Sequence, residues 1–254
     1  MSATLSQLPP IVLIAGYILF WVWEMLAAAR RWPSRPGRRL RNFAITALGI
    51  VVSALTGGAL LLASAFAAAH HIGLLNFARW PGWASLVIGV LALDATDYGR
   101  HRLSHAWGPL WRLHLVHHTD AAMDVSTSLR NHPLEMLIRP LFLAAVIFAV
   151  GAPPLALLIL PLIQLPVLIF QHADIRLPAW LDRALAWLLV TPGMHLVHHS
   201  RTRTETDSNY STLFSLWDRL FGTFRAATPP ALGLDDFDTP RHQTLLGMLL
   251  TPWR

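Results

Sequence analysis

With 254 residues, 54% of them hydrophobic and 13% charged, the chain falls well short of the roughly 25% charge of an ordinary soluble domain and reads as an integral membrane protein. It has no cysteine, which excludes disulfides, thiolate metal sites and catalytic thiols. The net charge is +6 and all 20 basic residues are arginine; because these arginines flank apolar runs, membrane orientation accounts for them and nucleic-acid binding is rejected.

Residues 9–29 (PPIVLIAGYILFWVWEMLAAA) predict a first span, long enough for a ~30 Å hydrocarbon core at ~1.5 Å per residue. Glu24 lies near its carboxyl end, within reach of the interface. No cleavage pattern precedes it, so an uncleaved span is expected rather than a signal peptide. Six arginines between Arg30 and Arg41 mark a cytoplasmic loop, which puts the amino terminus outside. A second span covers residues 42–69, with Gly57 and Gly58 available for close helix contact. The outer loop that follows carries Arg79 alone, and His70 and His71 there read as structural.

A third span, residues 83–98, returns inside with Asp94 and Asp97 near its end. Carboxylates at that depth are costly unless paired; either at least one fixes the tautomer of a nearby histidine, or both are simply solvated at the helix end. Residues 134–150 and 155–170, joined through Pro153 and Pro154, read as a helical hairpin that leaves the inner face and returns to it. Residues 177–191 form a short amphipathic stretch placed along the interface. An aromatic run, LFSLWDRLFGTF, precedes a tail, RHQTLLGMLLTPWR, expected to dock at the membrane, with His242 structural.

The inner side gathers most of the histidines. His101 and His105 stand at i and i+4. His114, His117 and His118 form a His-x-x-His-His pattern, and His195, His198 and His199 repeat it. On a helix, residues three and four apart share a face, so each cluster projects imidazoles together. Eight such nitrogens exceed the four positions of a closed tetrahedral zinc centre, which points to two metals. Consecutive residues point about 100° apart, so His117 and His118 can serve different ions. His132, in LRNHPLE, and His172, in FQHADIRLP, are further candidates, either as ligands or as hydrogen-bond partners of ligands.

The pieces DYGRHRLSH, WRLHLVHH, LRNHPLE, QHADIRLP, TPGMHLVHHS and ETDSNYSTLFSLWDRLFGTF together resemble the fatty acid hydroxylase and sterol desaturase superfamily of membrane-bound di-iron enzymes, over about residues 94–224. The resemblance implies an all-α, polytopic membrane protein: a transmembrane core of four to five spans with a cytosolic, histidine-rich helical cap. Residues 1–41 then form the first span and basic loop, and residues 42–254 the catalytic domain. The implied metal ligands are His101, His105, His114, His117, His118, His195, His198 and His199, joined by His172 and His132. Asp94, Asp97 and Asn209 are candidate supporting residues around them. Thr119 stands where serine is common and Ser211, after Asn209 and Tyr210, where glycine is usual.

The implied cofactor is a pair of ferrous ions, with zinc a possible substitute in purified protein. The implied reaction is the oxygen-dependent hydroxylation or desaturation of a lipid: fatty acyl, sterol or another isoprenoid. Electrons come from a separate donor, a ferredoxin, cytochrome or reductase, because no cytochrome b5 segment or nucleotide fingerprint is found. The exclusive use of arginine suggests a GC-rich bacterial genome, and with it a bacterial inner membrane and a cytoplasmic active site. The rival readings are a zinc-dependent membrane hydrolase, a divalent-metal transporter and an inactive relative.

Overall fold

Four helices are long and apolar enough to cross a membrane: 7–27, 38–77, 133–150 and 154–172. The computed structural model describes residues 3–30, 32, 35–78, 80–229 and 231–254. Among these no strand forms beyond isolated bridges, and the helices are α1 (Ala3–Ala27), α2 (Arg38–Ala69), α3 (Leu74–Phe77), α4 (Gly82–Ala106), α5 (Gly108–His118), α6 (Pro133–Val150), α7 (Pro154–His172), α8 (Ala179–Leu185), α9 (Pro192–His198), α10 (Arg203–Thr206), α11 (Leu216–Leu220) and α12 (Leu245–Leu250). A helical core is what a bilayer demands, since every backbone polar group must be satisfied within the segment.

Helix α2 packs along α6, α1 along α7, and α4 against both α6 and α7. The shared core holds Leu93 of α4, Leu143 and Ile147 of α6, and Ala156 and Leu160 of α7. At the end of the bundle away from the nine clustered histidines, the turns before α3 and after α6 touch. A Cβ on Gly73 would collide with the backbone of Gly151, and both have positive φ, 93° and 77°, a conformation that glycine alone adopts without strain. No arginine of the described residues lies in these far turns; Arg79, assigned there from the sequence, is outside the described residues.

Helix α4, where a third span was expected over residues 83–98, is not among the four helices apolar enough to cross, and it is longer than that stretch. It starts beside the far turn, where Gly89 meets Pro153 and Ala156, and runs on to Ala106, so His101 and His105 sit on the same continuous helix as Asp94 and Asp97. The interfacial stretch is shorter than expected. Seven residues form α8, and the chain then straightens because Val190 N donates to Leu213 O and Ser215 N to Leu188 O, at 3.1 and 3.2 Å. Thr191 Oγ1 then accepts from Met194 N, with Pro192 in the first turn, to start α9, a standard helix opening. In the tail, Met248 of α12 is buried with Ile45 and Val116, while Leu246 and Trp253 stay exposed.

Between α5 and α6 the polar stretch 119–131 is folded inward by an ion-pair clamp. Arg38 donates to Asp120 at 2.7 and 3.0 Å and to Asp124 at 2.6 Å; Arg39 donates to Asp124 at 2.9 Å and Asn42 to Asp120 at 2.9 Å. Glu24, at the end of α1, accepts from Val125 N and Asp174 N at 2.8 and 2.7 Å. Arginines that mark membrane orientation in the sequence therefore also hold the loop that leaves the second histidine cluster.

Burial alone would raise the Asp120 carboxyl, but the Arg38 guanidinium overrides it and holds it down to about 2. Its stabilising contribution is therefore complete above the ordinary carboxylate value of ~3.9, and is lost as pH falls from there through about 2. Asp120→Asn leaves Arg38 and Arg130 with a counter-charge removed, an expected loss of about 3 kcal/mol in denaturant unfolding of the detergent-solubilised protein near neutral pH.

Candidate metal centre

Nine buried histidines meet at the cap end of the bundle. Helix α4 contributes His101 and His105, α5 contributes His114, His117 and His118, the last turn of α7 contributes His172, and α9 with its C-cap contributes His195, His198 and His199. They fall into two groups, His101, His105, His114, His118 and His198 in one and His117, His172, His195 and His199 in the other. Within each group one nitrogen per ring lies within 4.8 Å of all the others. His117 and His118 enter different groups, as do His198 and His199, which is what the 100° step between consecutive helical residues requires. The groups adjoin: the rings of His118 and His199 are 4.7 Å apart between centroids.

Hydrogen bonds to Nδ1 set which nitrogen is free. The Nδ1–H of His101 donates to Tyr210 O, that of His172 to Leu168 O and that of His198 to Ser208 O, all at 2.7 Å. His114 Nδ1 donates to Glu135 Oε1 at 3.0 Å and His105 Nδ1 to Asp207 Oδ1 at 3.2 Å. A neutral imidazole that donates from Nδ1 carries no proton on Nε2. Yet the Nε2 atoms of His101 and His114 lie 3.0 Å apart, lone pair against lone pair. The His105 and His198 Nε2 atoms are buried with no partner.

Facing lone pairs without a proton between them repel, and buried acceptors without a donor are costly; a cation shared among them removes both penalties. Burial favours the neutral, ligand form at most of these rings. Burial, reinforced by neighbouring imidazoles, keeps His117, His118, His195 and His199 well below the usual histidine range. Burial takes His198 down to about 3. Metal ligation needs this form, because a protonated imidazole has no lone pair to give.

Other expectations are placed differently. His132 lies outside both groups: it is the N-cap of α6, its Nδ1 accepts from Leu134 N at 3.2 Å, and its Nε2 meets Leu249 O of the tail at 3.1 Å. The carboxylates expected to orient a histidine do not do so. Asp97 takes a bidentate pair from Arg139 at 2.8 and 2.6 Å, and Asp94 accepts from Trp217 Nε1 at 2.7 Å. Pairing with arginine is the cheaper solution for a carboxylate at that depth. Asn209, at a positive φ of 52°, hydrogen-bonds to no imidazole among the described residues; it joins Met194 O to the backbone of Arg225.

The orienting carboxylates are instead Glu135 and Asp207. Glu135 is 4% exposed and also accepts from Arg100 at 2.8 Å. In the sequence it reads as an acid in the first turn of a helix, favourable there for the macrodipole alone, and no spacing to His114 announces it. Gln171 was also silent in the sequence. It is fully buried beside His172, and neither amide atom has a hydrogen-bond partner among the described residues. Because an unpartnered buried amide is destabilising, Gln171→Leu is expected to hold or raise the Tm of the purified protein, as followed by thermal unfolding.

Residues 86–223, more than half the chain, match the family model described as fatty acid hydroxylase. The chain belongs to the fatty acid hydroxylase family. The match takes in all nine clustered histidines and excludes α1, the basic loop and α2. An ornithine lipid hydroxylase of Rhizobium tropici is 26% identical over 82% of this chain and 64% of its own length. The human alkylglycerol monooxygenase is 32% identical over 57% of this chain and 31% of its own length. A fatty acid hydroxylase of a Lecanicillium species is 26% identical over 60% of this chain and 45% of its own. The aligned part of this fatty acid hydroxylase family member thus spans less than two thirds of these relatives. No solved structure matches it.

Proposed function

We propose that this chain is a membrane-embedded oxygenase that holds one iron ion in each histidine group and hydroxylates a C–H bond of a bilayer lipid. The observation that carries the reading is the pair of adjoining, buried imidazole groups, in which one nitrogen per ring lies within 4.8 Å of the others of its group. Neutral imidazole suits zinc, copper, nickel and iron alike, so the choice of iron leans on family membership and on the doubling of the site. Two ferrous ions, when bound, would supply the activation of dioxygen that no side chain can.

The chain's own residues do the rest. Glu135, Asp207 and the carbonyls of Leu168, Ser208 and Tyr210 hold five rings in the tautomer that frees Nε2. Burial keeps bulk water from the reacting atoms. An apolar groove of about 460 Å³ between α1 and α2, lined by Leu13, Tyr17, Trp21, Phe43 and Ile50 among others, offers a lateral bed for a lipid chain. The names of the relatives support hydroxylation over desaturation, and a lipid as its object. A separate electron donor, a ferredoxin, cytochrome or reductase, would dock on the arginine-bearing cap. The arginines on that side support a cytoplasmic orientation, in a bacterial inner membrane.

The test is oxygen-isotope labelling. Protein reconstituted anaerobically with ferrous iron, reduced, and given ¹⁸O₂ with a lipid extract is expected to yield a hydroxylated lipid carrying one ¹⁸O. Label arriving from water instead, or turnover supported by zinc alone, would transfer the chain to the hydrolase reading.

A further inference from the structure

A second concave site lies on the cap, away from the imidazoles. Helix α8, the start of α9 and the segment after α11 enclose a pocket of about 380 Å³ whose lining includes Asp182, Arg183, Trp187, Met194, Arg219 and Arg225. Three arginines and one aspartate are thus among its lining residues. None of the three makes an ion pair among the described residues, whereas Arg38, Arg100 and Arg139, elsewhere in the chain, are all paired. Isolated cations gathered in one hollow repel, and an anion among them relieves that repulsion.

Arg219 is the best-placed of the three. Its guanidinium is sandwiched between Trp187 and Phe224, 3.9 and 4.1 Å from their ring centroids, and it donates once, to Ala186 O at 2.8 Å. Its Nε is buried and has no partner among the described residues. A guanidinium held flat between two rings has already lost its side-chain freedom, so forming a charge-assisted bond with a phosphate costs little further ordering.

The surroundings decide what kind of anion. Trp180, Trp187, Leu188, Leu220 and Phe221 are 52–69% exposed on the same elements. Exposed tryptophan and leucine next to arginine is the composition of a surface resting at headgroup level, where rings and aliphatic side chains enter the acyl boundary and cations meet phosphates.

We infer that this pocket binds the anionic headgroup of a membrane lipid through Arg183, Arg219 and Arg225. The inference deepens the lipid-oxygenase reading and rests on it for its purpose, because the pocket is coupled to the histidines. Arg225 is tied through Asn209 to Met194 O, one residue before His195. An occupied pocket thus holds the lipid by its polar end against the helix that, with its C-cap, carries three of the nine imidazoles.

The test measures binding, not turnover, on the full chain in a neutral detergent. Calorimetric titration is made with dihexanoyl phosphatidylglycerol, dihexanoyl phosphatidylcholine, inorganic phosphate and polyglutamate. The anionic lipid is expected to bind at least about 10-fold more tightly than each of the others, a difference of ~1.4 kcal/mol. Arg183→Gln with Arg225→Gln, both at exposed side chains, is expected to weaken it at least 10-fold with bound metal unchanged. Arg219→Gln is expected to do the same, with Arg219→Lys partly restoring it. Equal affinity for the zwitterionic lipid, for free phosphate or for the acidic polypeptide overturns the inference. So does unchanged binding in the double variant. Failure of the oxygenase reading would appear separately, as absent iron with lipid binding intact.

Discussion

Alanine in place of His198 or His117 is expected to abolish lipid hydroxylation, with a loss well beyond 100-fold, while the protein still inserts and purifies. The floor comes from partners of ligands, whose removal alone costs about 10–100-fold in metal affinity or activity; a ligand itself must cost more. The two positions probe different groups, His198 with His101, His105, His114 and His118, and His117 with His172, His195 and His199. Each variant should therefore lose iron in elemental analysis. Neither should unfold, because both rings are already neutral and each substitution removes a buried polar group instead of stranding a charge. Hydroxylation retained in either variant, or iron unchanged in both, would remove the histidine groups from the reaction.

Glu135→Gln is expected to cost ~10–100-fold in iron affinity or turnover and, separately, about 3 kcal/mol of stability, since it takes the counter-charge at 2.8 Å from the buried Arg100 guanidinium. The amide keeps the shape of the carboxylate and can still accept from His114 Nδ1, so a purely steric role would leave metal affinity unmoved. Asp207→Asn is the comparison. Asp207 also orients a histidine, His105, but its side chain is 34% exposed, so solvent screens its charge and the expected loss of stability is small. Iron titration and denaturant unfolding of both variants separate the two effects. Equal behaviour of the two variants in both assays would mean that burial of the carboxylate has no part in the site.

Four of the five expected spans were legible because the signal of a membrane helix is composition over ~20 residues, which needs no knowledge of neighbours; the expected third span, residues 83–98, lies on α4, which is not among the four helices apolar enough to cross. The clustering of His101 with His105, and of each His-x-x-His-His triplet, was legible for the same reason: helical spacing is local geometry. The doubling into two groups followed from the 100° step. What was not legible is every relation between segments that the chain brings together only on folding. His132 carries the same residue type as the clustered histidines and stands in a motif with them, yet its backbone position as the N-cap of α6 turns its ring towards the tail. Asp94 and Asp97 lie two turns and one turn from His101 on a single helix, and still bond Trp217 and Arg139, because α11 and α6 pack on that face of α4.

Glu135 became a partner of His114 only because α5 and α6 meet beyond the polar stretch that Arg38 clamps. Side-chain type and local repeat thus decided that imidazoles would gather on one side of a helical membrane protein. Packing between distant segments decided which of them converge, which nitrogen each one offers, and which carboxylate stands behind it. A hydrogen bond is satisfied by whatever donor or acceptor the fold delivers within about 3 Å, and sequence distance carries no information about that.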